Sequence, residues 1–462
     1  MMTLMTLNQG IRGVIGLARG ARMRASIAAG IVLVAGPLLS CQRETLLDVT
    51  NPDILSVGDY NTPAGAVPLR IGVIANFTQA FDGSTDAFTT ITGNLADELL
   101  ASDTFDDRLT INARKSLEIN INMEAVYRAM HRARSGAARA AIIIAKTAPT
   151  PTFNRGELYM LRGFTEDFFA EGWCSGVPFS SEDGTTTTYG QPLTTEQILT
   201  AAVATFDTAL SLADTSKRVR FGSEIGRGRA LLNLSRFADA AAAVADVPQN
   251  FVLTTSHSVQ STSNGMWSAA TSGASRYRLV SNEGGNGLPF LSQPTSAEPR
   301  IQWATSTRVG FSSQFTNQPN ELKFGQFSDG IVGNGIEAAL IKLEARLQGG
   351  AQSDRQAVYD GLNALRASGP PVVAQMTSGA PTTQAAAIDL LYKERAYWMW
   401  LTGHRLGDLR RLVRIYKRDP ETVFPTGTLT SPLVGSYGTS TNITIPFSER
   451  NNPNYKGCSP GA

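Results

Sequence analysis

The run Lys393-Glu394-Arg395-Ala396-Tyr397-Trp398-Met399-Trp400-Leu401-Thr402-Gly403-His404-Arg405-Leu406-Gly407-Asp408-Leu409-Arg410-Arg411 interleaves charges of both signs with large aromatic side chains. On helices, that mixture describes a packed surface rather than a solvated one. Tyr397, Trp398 and Trp400 supply core volume, while Glu394, Arg395, Arg405, Asp408, Arg410 and Arg411 pair across neighbouring helices. A catalytic or metal reading would enlist Glu394, His404 and Asp408, but one histidine with two acids matches no recognised ligand spacing. His131 and His257 read as solvated or singly hydrogen-bonded groups rather than catalytic ones.

Outward from this run, the chain reads as a succession of helix pairs. Helices are expected at about 334–348, 353–367 and 382–401. Earlier, 118–147 reads as one long helix, with Ile121, Ala125, Tyr127, Met130 and Ala133 near one face and Arg128, Arg132 and Arg134 on others. Pro149 and Pro151 end it. A second helix at about 155–172 carries a wide stripe of Leu158, Leu161, Phe164, Phe168 and Phe169, and Gly176-Val177-Pro178 breaks the pattern. Thr194-Thr195-Glu196-Gln197 is a capping signal for a helix to about Leu212. Residues 94–100 also read as helical. At 218–247, Gly228, Leu231, Ser235, Phe237 and Ala240 follow the spacing of a tetratricopeptide helix pair, with Ser235 where glycine is usual. The fold class expected is mainly α: a tetratricopeptide-like helix-pair scaffold, or α-α superhelix, with an inserted region of loops and short strands.

That insertion is 250–330, where nine aromatic and nine charged residues share 81 positions. Gly284-Gly285-Asn286-Gly287 and several Ser/Thr/Asn clusters mark turns, so short strands and long ordered loops are expected. Long loops on a rigid frame are where binding residues concentrate. Trp267, Tyr277, Trp303, Phe311 and Phe315 are the candidate ligand-binding residues, because flat apolar faces stack on sugar C–H groups while polar neighbours satisfy hydroxyls.

The chain has 462 residues, 41 basic and 39 acidic, for a formal net charge of +2. Residues 1–40 hold four of the basic residues and none of the acidic ones, so the remaining 422 carry 37 against 39 and are slightly acidic. The charge excludes a dedicated nucleic-acid binder. Arg12, Arg19, Arg22 and Arg24 precede an uncharged run from Ala25 to Leu39, the pattern of an export signal, with translation starting at Met1 or Met23. The run ends in Leu38-Leu39-Ser40-Cys41, which resembles the bacterial lipobox and makes Cys41 the expected lipid-bearing first mature residue. The expected layout is a signal at 1–40, a tether at 41–62 and one domain at 63–462. Within that domain, helical repeats occupy about 85–247 and 334–412, the insertion 250–330 and an irregular tail 413–462.

Three cysteines and three histidines make a Cys/His zinc site or an iron–sulfur cluster untenable. No metal or other cofactor is expected beyond the covalent lipid. Asp97, Glu98, Asp103, Asp106 and Asp107 read as a solvated helix end or a cation contact rather than a glycosidase pair. Cys174 and Cys458 either pair in an oxidising compartment or remain free thiols.

Several runs together resemble the RagB/SusD family of outer-membrane nutrient-binding lipoproteins. Tyr127 followed by Arg132-Ala133-Arg134 is similar to the family's Tyr and Arg-Ala-Asn run. Leu161-Arg162-Gly163-Phe164, Phe168-Phe169 and Gly176-Val177-Pro178-Phe179 are similar to its next helix and Gly-x-Val-Pro corner. The 393–411 run resembles its Glu-Arg, Glu-Gly-x-Arg, Asp-Leu-Arg-Arg sequence, and Asn451-Asn452-Pro453-Asn454-Tyr455 its usual ending. Thr402 stands in place of the usual Glu, and Leu406-Gly407 in place of an aromatic pair. The resemblance implies a non-enzymatic protein, lipid-anchored at the outer membrane and facing the cell exterior. It would capture oligosaccharides or peptides and pass them to a SusC-like TonB-dependent transporter. The rival class is a helical-repeat adaptor that binds protein partners only.

Overall fold

Asn120 begins the longest helix by accepting the Met123 amide hydrogen with its side chain, and the chain beyond it is organised by such helices packed in sequence. The computed structural model describes residues 61–182, 186–273, 275–429 and 435–459, which belong to one unit, Ser56–Ala462. The export signal, Cys41 and most of the tether lie outside the described residues. The first elements are α1 (Ala66–Phe81), α2 (Phe88–Leu95), β1 (Leu99–Ala101), α3 (Asp106–Asn112), α4 (Ile121–Thr147) and α5 (Phe153–Gly172). There follow β2 (Val177–Pro178), β3 (Ser181–Glu182), β4 (Thr187–Thr188), β5 (Pro192–Leu193), α6 (Thr195–Ser211), α7 (Lys217–Asn233) and α8 (Phe237–Ala243). The insertion contains β6 (Val252–Thr255), α9 (Gly265–Ala270), β7 (Tyr277–Leu279), β8 (Trp303–Ala304) and β9 (Asn320–Glu321). The scaffold resumes with β10 (Gly330–Asn334), α10 (Gly335–Leu347), α11 (Gln352–Ser368), α12 (Gln384–Trp398), α13 (Arg405–Arg414) and α14 (Pro420–Val423).

The architecture is the expected mainly helical scaffold of helix pairs, with the strands confined to two-stranded antiparallel pairs. Helices α4 to α7 pack each on the next, and α1 packs on α4. Close approach depends on glycine. A Cβ on Gly163 of α5 would lie 2.7 Å from the Phe206 ring, and one on Gly226 of α7 would lie 2.2 Å from it, so the α6 ring is clasped from both sides. Gly228 does the same for Val244, at 2.5 Å. Ser235, in the turn between α7 and α8, sits at φ +61°, the left-handed region that explains why the repeat pattern has glycine there. The capping box at α6 is present, with Thr194 and Gln197 satisfying each other's backbone amides.

Three local expectations are corrected. The 94–100 helix stops at Leu95, and Leu99–Ala101 become a strand because they pair with Tyr277–Leu279 from the distant insertion. On α4 the buried stripe is Met123, Val126, Tyr127, Met130, Ala133, Ala137 and Ile144, leaving Ile121 and Ala125 exposed and carrying Arg134 inward. Of the acids at 97–107, Asp97, Glu98 and Asp103 are buried rather than solvated, with Asp97 on Arg405 and Asp103 on Arg108 and Arg276, whereas Asp106 and Asp107 form the first turn of α3 with Asp106 exposed, the expected solvated helix end.

The 393–411 run is the packed surface its composition described. Glu394 meets Arg300 and Arg366, Asp408 meets Arg395 and Arg411, and Arg411 also meets Glu344. His404 faces Glu337 at 3.2 Å instead. Glu394, His404 and Asp408 thus serve separate partners. A second apolar cluster joins the insertion to this run, with Leu99, Tyr277, Leu279, Phe290 and Ile301 packed among Tyr397, Trp400 and Leu401.

Candidate functional site

The sequence Arg276-Tyr277-Arg278-Leu279 alternates, and a strand sends alternate side chains to opposite faces. Tyr277 and Leu279 therefore go into the core while Arg276 and Arg278 reach the other face. Tyr277 is fully buried and donates its hydroxyl to Asp86 at 2.7 Å. Burial, followed by the Asp86 charge, pushes its pKa well above the ordinary tyrosine value. It offers no stacking face, which corrects its assignment as a ligand residue: its position in the strand points it inward.

The two arginines carry the site instead. The loop 310–315 folds back over the β1–β7 pair: Phe311 N–H donates to the Ser275 carbonyl, Ser312 N–H to that of Ser102, and Gly310 N–H to that of Phe315. Gly310 is needed there, since a Cβ would fall 1.8 Å from the Ser102 hydroxyl. This brings Phe311 and Phe315 onto the arginine face. The Arg276 guanidinium lies 3.4 Å from the centre of the Phe311 ring and 5.3 Å from that of Phe105, and the Arg278 guanidinium lies 4.6 Å from Phe315. Phe311 and Phe105 remain 46% and 53% exposed, so each still presents ring surface to solvent.

Beneath the rings, Arg276 is held by the buried Asp103, which it shares with Arg108. Asp103 accepts from Arg276 at 3.0 Å and from Arg108 at 2.7 Å, and Asp86 accepts from Arg108 Nε at 2.8 Å. Burial disfavours the Arg108 charge, but the Asp86 and Asp103 carboxylates outweigh it and raise its pKa. Burial lowers that of Arg278, with Glu283 opposing, and Arg278 has no carboxylate within ion-pair distance among the described residues. The result is a rigid face of phenyl rings and flat guanidinium groups, able to stack on apolar faces of a ligand and to donate hydrogen bonds around them.

Trp303 and Trp267 stand apart in local structure. Trp303 lies in β8, half-buried against the second core cluster, with its indole N–H on the Gln293 carbonyl at 3.2 Å. Trp267 lies in α9, whose start is capped by Asn264, and is half-buried. Phe105, Arg276 and Arg278 were absent from the sequence expectation, although the period-two Arg-Tyr-Arg-Leu pattern was the available signal for the two arginines. Cys174 and Cys458 are joined by a disulfide with a Cα separation of 5.6 Å. Among the described residues, no group of three or more His, Cys, Asp or Glu side chains could hold a metal ion, and no helix is long and apolar enough to cross a membrane.

No family model and no curated protein matches this sequence. Solved structures do. A SusD superfamily protein from Bacteroides thetaiotaomicron superposes with a TM-score of 0.64 at 16% identity, covering 86% of this chain and 100% of that one. A SusD superfamily protein from Parabacteroides distasonis gives 0.65 at 12% identity over 88% and 100%. A SusD-like carbohydrate binding protein from Bacteroides fragilis gives 0.64 at 12% identity over 86% and 100%. What these likenesses establish is architecture: the chain has the SusD fold.

Proposed function

We propose that this chain is a RagB/SusD-family lipoprotein that captures oligosaccharides at the outer-membrane surface without catalysis and passes them to a SusC-like TonB-dependent transporter. The single observation that carries the binding role is the Phe311 ring, covered on one side by Arg276 and open to solvent beside Phe105. Superposition on SusD-like chains, one of them described as carbohydrate binding, supports the same reading. Cys41 is the proposed lipid attachment point, placing the protein on the membrane with no basic face needed. Peptides are the second ligand class for such a face, since phenyl rings and guanidinium groups also suit extended chains.

Calorimetry of the mature chain against a panel of neutral oligosaccharides and peptides is the direct experiment. Phe311→Ala and Phe105→Ala should each weaken the bound ligand by about tenfold, an effect of roughly 1.4 kcal/mol, at unchanged melting temperature. Trp267→Ala and Trp303→Ala test the other two aromatics. Unchanged affinity in all four variants would refute the placement. The transporter partner is tested by co-purification from detergent extracts, and the lipid by mass spectrometry of the mature N-terminus, where an unmodified Cys41 excludes the anchor.

A further inference from the structure

Helix α4 turns three polar groups toward a cleft that shares no residue with the aromatic face. The cleft has a volume of about 350 Å³ and lies where α4 meets the Pro178–Thr187 strands and the C-terminal segment around Glu449. That volume suits a molecule the size of a sugar or amino acid. Tyr127, His131, Arg134, Ser181, Thr187 and Glu449 are among its lining residues.

Arg134 is the decisive group. It is 5% exposed, stacks on the Phe179 ring at 4.4 Å and donates through Nη2 to the Ser180 carbonyl. Its Nε has no partner, and no carboxylate lies within ion-pair distance of its guanidinium among the described residues. Arg229, Arg395 and Arg411, equally buried, each face a carboxylate, and Arg410, which has none within ion-pair distance among the described residues, does not line the cleft. Burying a guanidinium without an anion is costly, and the site retains that cost beside an open cavity. One further group on the same helix is unsatisfied, Nε2 of His131, while the buried Tyr127 hydroxyl donates to Glu449. Arg128, on the rim, is already engaged by Glu124 at 2.8 Å. Glu449 also lines the cleft, its carboxylate accepting from Tyr127 and Asn452.

We propose that this cleft is a second binding site, for a small polar molecule or chain end whose carboxylate pairs with Arg134. The planar fork of Arg134 matches a carboxylate in shape as well as charge. Burial, aided by the Arg134 charge, holds His131 well below its ordinary pKa, so the imidazole is neutral and one cation defines the anion's seat. The carboxylate could belong to an acidic sugar or to a peptide terminus.

Calorimetry on the purified mature chain at neutral pH separates these sources, using D-glucuronate, N-acetylglycine and D-glucose as probes. At least one acid should saturate below about 10 mM, and glucose should not. Binding of glucuronate alone identifies an acidic sugar, and binding of N-acetylglycine alone identifies a peptide terminus. Arg134→Met should abolish the binding. Arg134→Lys, which keeps the charge in the fold but loses the fork, should weaken it by about tenfold at unchanged circular dichroism. Neither acid binding by about 20 mM, or equal affinity in wild type and Arg134→Lys, overturns the proposal.

Discussion

Arg405 and Asp97, 308 residues apart in sequence, face each other as a buried two-pronged ion pair, Nε to Oδ1 at 2.5 Å and Nη2 to Oδ2 at 2.8 Å. The pair ties the start of α13 to the turn between α2 and β1, and Asp97 also accepts the Leu288 amide of the insertion at 2.9 Å. Removing one partner leaves the other charge buried and alone. Asp97→Asn is therefore expected to cost about 3–5 kcal/mol, measured as a lowered urea midpoint. A loss below about 1 kcal/mol would show that the pair is not structurally important.

The clasp on Phe206 makes a packing prediction. At Gly226 an added methyl would lie 2.2 Å from the Phe206 ring, and that ring is already in contact with the other side at Gly163. Helix propensity favours alanine over glycine by about 1 kcal/mol, yet overpacking of this kind costs about 1–3 kcal/mol. Gly226→Ala should lower the melting temperature, whereas Gly136→Ala, with open space around it, should leave it unchanged or raise it.

Glu98 sets a pH dependence. Burial raises its pKa from 4.5 to about 8, against the Leu401 amide that hydrogen-bonds its carboxylate. The folded protein thus keeps a proton that the unfolded chain releases above the ordinary carboxylate range. Its contribution to stability is intact below that range and is lost as pH rises toward 8. Burial raises the Glu321 pKa to about 8 as well, so denaturation series at pH 5 and pH 8 should show a decline of which Glu98 supplies on the order of 2–4 kcal/mol, and Glu98→Gln should reduce the decline without removing it. An equal decline in the variant would assign the dependence to other groups.

The disulfide straps the C-terminal tail to the Gly176-Val177-Pro178 corner, where Ser459 N–H also donates to the Ser175 carbonyl at 2.7 Å. Its two cysteines are separated by 284 positions, so closing the loop restricts the unfolded chain strongly. Cys458→Ser is expected to cost about 5–6 kcal/mol in the chain-entropy model, seen as a shifted unfolding midpoint. Two titratable thiols in the unfolded, unreduced mature protein would rule the bond out.

Several features of this protein follow from local sequence alone. Helix periodicity and capping placed α5, α6, α7 and α10 to α12 to within a few residues, because burial stripes at intervals of three and four and a Thr194–Gln197 box are encoded in neighbouring positions. The composition of 393–411 likewise declared a buried ion-pair surface. What needed the tertiary structure were facts about partners far along the chain. Leu99–Ala101 are a strand only because Tyr277–Leu279 lie beside them, and Arg134 faces a cleft because α4 is rotated to bury Val126 and Met130. Whether an aromatic residue stacks on ligand or fills the core was decided the same way. Tyr277 and Phe311 are both aromatic residues of one loop-rich region, yet one is sealed over Asp86 and the other lies open over Arg276. The residue type determines how much apolar surface is available, while the long-range pairing of β1 with β7 determines which side of it meets water.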